Sequence, residues 1–169
     1  MVVPRRVDRL VHEPMPHASS GRGSWHRRVL ESLVLETASL EALEEDLMAT
    51  VFTDAGKAIV TNRIIGSGTE PKWVAWGTGA GTAGVTDTTL FTEAAEARTV
   101  GTGSRVTTTV TNDTHQVTGT ITSLSGQTIT NAGVFDALTV GNLYMKGDFT
   151  GIALLTGDSI AFTSKVKYT

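Results

Sequence analysis

The chain has no cysteine among its 169 residues. A disulfide framework and a thiolate metal site are therefore excluded, and redox chemistry says nothing about compartment. Histidine is scarce as well. His12, His17, His26 and His115 show no H-x-x-x-H or H-E-x-x-H spacing, so a zinc site has no support in the sequence. No run approaches the ~20 apolar residues that span a bilayer. Arg5, Arg6 and Arg9 open the chain without the apolar run that a secretory signal needs after them. Charge is thin: 18 % of residues, against about 25 % in an average domain. The net charge of −3 and pI near 5.8 give no excess of positive charge for a nucleic-acid partner. Serines are frequent, but no Gly-x-Ser-x-Gly elbow exists.

Threonine, glycine and serine fill the gap left by charge. β-Branched threonine suits a pleated, half-exposed surface, so the composition itself leans toward sheet. The length fits one domain of ordinary size with an appendage.

Three zones follow one another. Residues 1–24 read as a flexible basic N-terminal arm. Pro4, Pro14 and Pro16 interrupt regular structure, and Ser19-Ser20-Gly21-Arg22-Gly23 is a linker-like run. Arg5, Arg6 and Arg9 make it basic, either as a solvated tail or as an arm that docks on an acidic partner surface. Residues 25–49 read as one amphipathic helix, capped by Ser24, with Leu30, Leu33, Thr37, Leu40, Leu43 and Leu47 at three- and four-residue steps. Leu33, Leu40 and Leu47 also stand seven apart. This seam either packs on the chain's own domain or drives self-association. Met48 is an alternative start to Met1.

Residues 50–169 read as a β-sandwich domain with a short leading helix. Asp54 is the expected cap of that helix, which passes through Ile59 and Ile64 and stops at Gly66. The period then falls to two. Ile160, Phe162 and Val166 alternate with Ala161, Thr163, Lys165 and Lys167, and similar alternation runs through Leu143 to Phe149. Turn signals at Asn112-Asp113, Ser125-Gly126, Gly141-Asn142 and Gly157-Asp158 separate strands expected near 72–77, 97–101, 104–111, 116–123, 127–136, 142–149 and 158–168. Strands of this number and spacing imply a mainly β fold, an antiparallel sandwich of jelly-roll type.

Gly79-Ala80-Gly81-Thr82-Ala83-Gly84 matches the G-x-G-x-x-G dinucleotide fingerprint. That fingerprint works only at a helix N-terminus inside a βαβ unit. Here the single helical candidate that follows is about ten residues around Thr88 to Ala95, and no parallel strand ends in a placed acid. A surface loop spanning 77–89, and no cofactor, is the better expectation. Asp136, Asp148 and Asp158 flank strands without an ordered ligand loop, as turn aspartates serving the backbone do. His115, beside a turn, reads as a solvent-facing strand residue. No catalytic constellation emerges, and an enzyme is not expected. Trp73 and Trp76 fall on opposite faces of one strand. One is expected in the core and the other is a candidate interface anchor.

Several blocks of residues 50–169 carry a resemblance. They are Phe52-Thr53-Asp54-Ala55-Gly56, Thr61-Asn62-Arg63-Ile64-Ile65-Gly66, Trp73 to Gly79, Asp113 to Gly119, Ile129 to Ala137 and Gly157 to Thr163. Together they resemble small phage virion proteins of the capsid decoration or cement type, and the Ala132–Ala137 and Gly157–Ile160 blocks are also similar to segments of phage tail fibres. The resemblance implies a structural protein bound to the outer capsid surface, with the major capsid protein as partner and a possible trimer as its self-associated form. It implies no nucleic-acid or membrane partner. The alternative it leaves open is an adhesive tail-fibre or baseplate module, presenting a loop such as 77–89 to the host.

Overall fold

The computed structural model describes residues 30–36 and 49–169; the arm at 1–24 lies outside them, as do 25–29 and 37–48. Nine strands and one helix make up the described chain. They are β1 (Leu30–Glu36), β2 (Ala49–Phe52), α1 (Asp54–Ile64), β3 (Trp73–Gly77), β4 (Thr99–Val100), β5 (Thr102–Val106), β6 (Thr114–Thr122), β7 (Gln127–Phe135), β8 (Leu143–Leu154) and β9 (Ser159–Lys167). They form a mainly β, antiparallel sandwich. One layer has four strands in the order β1-β9-β6-β5, and the other has five in the order β2-β8-β7-β3-β4.

Alternation determines which face each strand buries. Val117, Ile121, Ile160, Phe162 and Val166 of the four-stranded sheet meet Val74, Trp76, Ala132, Val134 and Met145 of the five-stranded sheet. Trp76 stands edge-on to Phe162 across the layers, centroids 6.1 Å apart. Burying each of these large side chains is worth about 1.5–3 kcal/mol, so the inter-sheet seam dominates stability. The outer face of the five-stranded sheet is also covered. Ala75, Phe135 and Leu143 pack there with Leu90 and the half-buried Trp73. Two buried faces explain the unbroken apolar run Trp73-Val74-Ala75-Trp76, which shows no alternation.

The chain changes layer at Gly101. Thr99–Val100 pair with β3, Thr102–Val106 pair with β6, and the Gly101 amide between them donates to the Lys72 carbonyl at 2.7 Å. A Cβ at Gly101 would stand 2.7 Å from the Thr118 carbonyl oxygen, so only glycine permits this crossing.

Several boundaries differ from those expected. The helix expected over 25–49 does not form where the chain is described. Leu30–Glu36 is a strand paired parallel to β9, with Leu33 opposite Phe162. Over seven residues, an apolar pattern such as Leu33-Val34-Leu35 suits either period, and the open backbone edge of β9 decides the outcome. The strand expected over 104–111 stops at Val106, because the Asp113 carboxylate takes hydrogen bonds from the amides of Thr108, Thr109 and Val110 and curls the chain into a turn. These amides hold the Asp113 carboxyl well below the usual range against a smaller opposing effect of burial. No helix forms over 88–95, where the backbone follows turns and a bridge from Glu93 to Gly77. The helix cap is Thr53 rather than Asp54. Its hydroxyl accepts from the Gly56 amide at 2.9 Å and donates to the Leu143 carbonyl, tying the helix start to β8.

Candidate functional site

A groove of about 700 Å³ opens beside α1. Ile59, Val60 and Ile64 of the helix and Pro71 form its apolar walls, and His115, Tyr144 and Tyr168 form a polar side, with Arg63 and Glu70 at the rim. Each contributor is placed by backbone geometry. The β7–β8 register shifts between Val134 and Phe135, whose partners are Met145 and Leu143, and Tyr144 is the extra residue. Such a bulge re-aims one side chain, and here it turns the Tyr144 ring between Phe52 and His115, at centroid distances of 5.3 and 5.5 Å. Gly56 lets α1 lie against this point, since an added Cβ would collide with the Tyr144 carbonyl.

The polar side is a chain of hydrogen bonds. His115 Nδ1 is 3.1 Å from the Tyr144 hydroxyl, which is 2.8 Å from the Tyr168 hydroxyl. Burial raises both phenols above their ordinary range, the bond to Tyr168 raising Tyr144 further and the bond to Tyr144 partly offsetting the rise at Tyr168. Burial lowers His115, partly opposed by the charge of Glu70. All three groups are therefore neutral near pH 7. The groove offers apolar area and neutral hydrogen-bonding groups with one cation and one carboxylate, Arg63 and Glu70, beside them, a combination suited to a largely apolar protein segment. Ile64 in the groove lining and the adjacent Ile65 stand 79 % and 73 % exposed, large apolar side chains left in water at a helix end.

A second feature is the segment 78–98, which is strapped across the outer face of the five-stranded sheet. Lys146, fully buried on β8, reaches the Asp87 carboxylate at 2.8 Å and the Thr89 carbonyl at 3.2 Å, with its ammonium 3.0 Å from the centre of the Phe91 ring. The Lys146 and Gly84 bonds outweigh burial and keep Asp87 below its usual range. Asn131 donates to the Gly79 and Phe91 carbonyls and accepts from the Phe91 amide. Arg98 forks onto Glu93 at 2.7 and 3.0 Å and lies over Phe135. Buried Glu96 accepts from the Trp76 indole, the Leu124 amide and the Gln127 amide group, which together outweigh burial and lower its pKa.

This strap gives the G-x-G-x-x-G segment a structural explanation. A Cβ at Gly81 would run into the Phe91 ring, and one at Gly79 into the Thr92 hydroxyl and the Phe91 carbonyl, so these glycines let the loop lie flat on the 91–92 segment. Three amides of the segment are tied into the fold. Gly79 donates to the Phe91 carbonyl, Ala83 to Asp148 and Gly84 to Asp87.

Of the candidate residues, Arg5, Arg6, Arg9, Leu40 and Leu47 lie outside the described residues. Leu33 belongs to a strand, so it is not part of a helical seam. Trp76 is core, 1 % exposed, and Trp73 is half-buried on the outer face; Trp76 is therefore excluded as an interface anchor. The groove gathers none of these. It gathers His115, which is not a solvent-facing strand residue, together with Tyr144 of β8 and Tyr168 just after β9. The nearest sequence signal was Ile64-Ile65 at the end of a short helix. Comparison with family models, with curated proteins and with solved structures finds no match to this chain.

Proposed function

We propose that this chain is a structural virion protein that binds the outer surface of an assembled phage capsid and stabilises it. The observation that carries the reading is the groove beside α1, a largely apolar surface with His115, Tyr144 and Tyr168 on one side, Arg63 and Glu70 among its lining, and exposed isoleucines next to it. Its partner is an apolar segment of the major capsid protein. The resemblance of residues 50–169 to small phage virion proteins supplies the virion setting. Many copies on one shell convert a modest contact into large shell stability, because the bound state exists only for the assembled lattice.

Cryo-electron microscopy of particles carrying the protein tests the location, and Ile64→Asp tests the surface. The expected result is density over the capsid lattice with α1 facing the shell. Ile64→Asp should reduce occupancy on stripped shells at least about tenfold, as loss of one apolar anchor worth roughly 1.5–3 kcal/mol requires. Because Ile64 is largely exposed, the variant should fold normally. Density confined to the tail would refute capsid decoration. One observation favours that second reading of an adhesive tail module: Asp148 and Lys146 tie the 77–89 loop down onto the sheet, as a surface presented to a receptor requires.

A further inference from the structure

We infer that β1 is an exchangeable strand: where copies of this chain are crowded, β1 of one copy pairs with β9 of its neighbour. This goes beyond the capsid reading and does not depend on it. Among the described strands, β1 is joined in parallel, whereas the other pairings are antiparallel. β9 is already paired along its full length with β6, from Ser159 to Lys167. Its side chains Ile160, Phe162 and Val166 are fixed in the inter-sheet core. Its second backbone edge is therefore a preformed acceptor, and an edge of this kind pairs with any compatible strand that reaches it.

The connection from β1 to β2 spans residues 37–48. Twelve residues reach about 40 Å when extended, at ~3.3–3.6 Å each. The two layers that this connection joins stand only about 10 Å apart. The connection is thus long enough for β1 to lie on its own β9 or on that of an adjacent copy, with the same backbone contacts in both. Identical contacts leave the balance to concentration. A tether of this length gives an effective concentration on the order of millimolar. Dilute protein therefore keeps β1 at home, and an array of close-set copies exchanges it, linking neighbours without a new interface.

The absence of cysteine makes the test direct. Val34 and Thr163 are register partners across β1 and β9. Neighbouring strands place Cα atoms about 4.8 Å apart, within disulfide range. Val34→Cys and Thr163→Cys are made as separate full-length proteins, one carrying a mass tag. They are unfolded together, refolded at about 1 mM total and at about 10 μM, oxidised, and run on a non-reducing gel. At 1 mM the mixed-mass dimer should exceed the dimer of either variant alone at least fivefold, and at 10 μM the excess should vanish. Mixed dimer no greater than these backgrounds at 1 mM would overturn the inference. Glu36→Cys with Lys165→Cys, the next register pair but one, repeats the measurement if either first variant fails to refold.

Discussion

Replacing Lys146 by methionine isolates the strap. Methionine keeps most of the length and an S–aromatic contact with Phe91, but it removes the ammonium. Asp87 is then left without its cation, and the Thr89 carbonyl loses a donor. Stranding one partner of a buried ion pair costs about 3–5 kcal/mol. The Asp87 side chain keeps 24 % exposure and the Gly84 amide bond, so water takes up part of the loss, and the lower half of that range applies. The expected destabilisation is about 3 kcal/mol. With a urea slope of roughly 1.5–2 kcal/mol/M, the midpoint should fall by about 1.5–2 M when followed by tryptophan fluorescence. Adding Asp87→Asn removes the stranded carboxylate and should recover at least about 1 kcal/mol. The pH dependence has a defined sign. Asp87 has a lowered folded pKa, so its contribution is present above the ordinary value of 3.8 and is lost as pH falls through the folded value. The Lys146→Met penalty should shrink accordingly in strong acid. A loss under about 1 kcal/mol at pH 7, or the same loss with and without Asp87→Asn, would refute the claim that the pair holds the strap.

Three further outcomes are expected. Glu96→Ala strands the Trp76 indole, the Leu124 amide and Gln127 together, and should cost about 3 kcal/mol in chemical unfolding, whereas Glu96→Gln should cost less. Gly81→Ala pushes a methyl into the Phe91 ring and should cost about 1–3 kcal/mol, part of which Phe91→Leu restores; calorimetry of the single and double variants decides. His115 has a folded pKa depressed below 6.5, chiefly by burial, so its contribution is full above pH 6.5 and declines as pH falls below it; His115→Gln should flatten that part of the stability profile, and an unchanged slope would count against the buried neutral ring.

The outline of the sandwich was legible because β6 and β9 carry two-residue alternation between recognisable turns, and that pattern depends on burial alone. Elements governed by long-range contacts were not. Leu30–Glu36 became a strand because β9, some 130 residues later, offers a backbone edge. The end of β5 depends on a carboxylate seven residues beyond Val106, which accepts three amides from the intervening turn. The groove was hidden for the same reason: a bulge aims Tyr144, and neither the bulge nor the meeting of residues 59, 115, 144 and 168 leaves a local signature. The glycine fingerprint shows the opposite failure, because small residues needed for packing on Phe91 share a spelling with those that cradle phosphate.

The crossing at Gly101 makes the two long sides of the sandwich unequal. On one side a single backbone passes from β4 to β5, so the layers are stitched by a covalent bond and cannot part there without dismantling β3 or β6 pairing. The opposite side is bounded by β1 and β2, which belong to different layers and share no described ladder. The other short crossings, at 123–126 between β6 and β7 and at 155–158 between β8 and β9, join the layers at strand ends rather than along a strand edge. The Gly101 crossing alone lies between two ladders on the same edge, so amides next to it should be among the last to exchange with solvent.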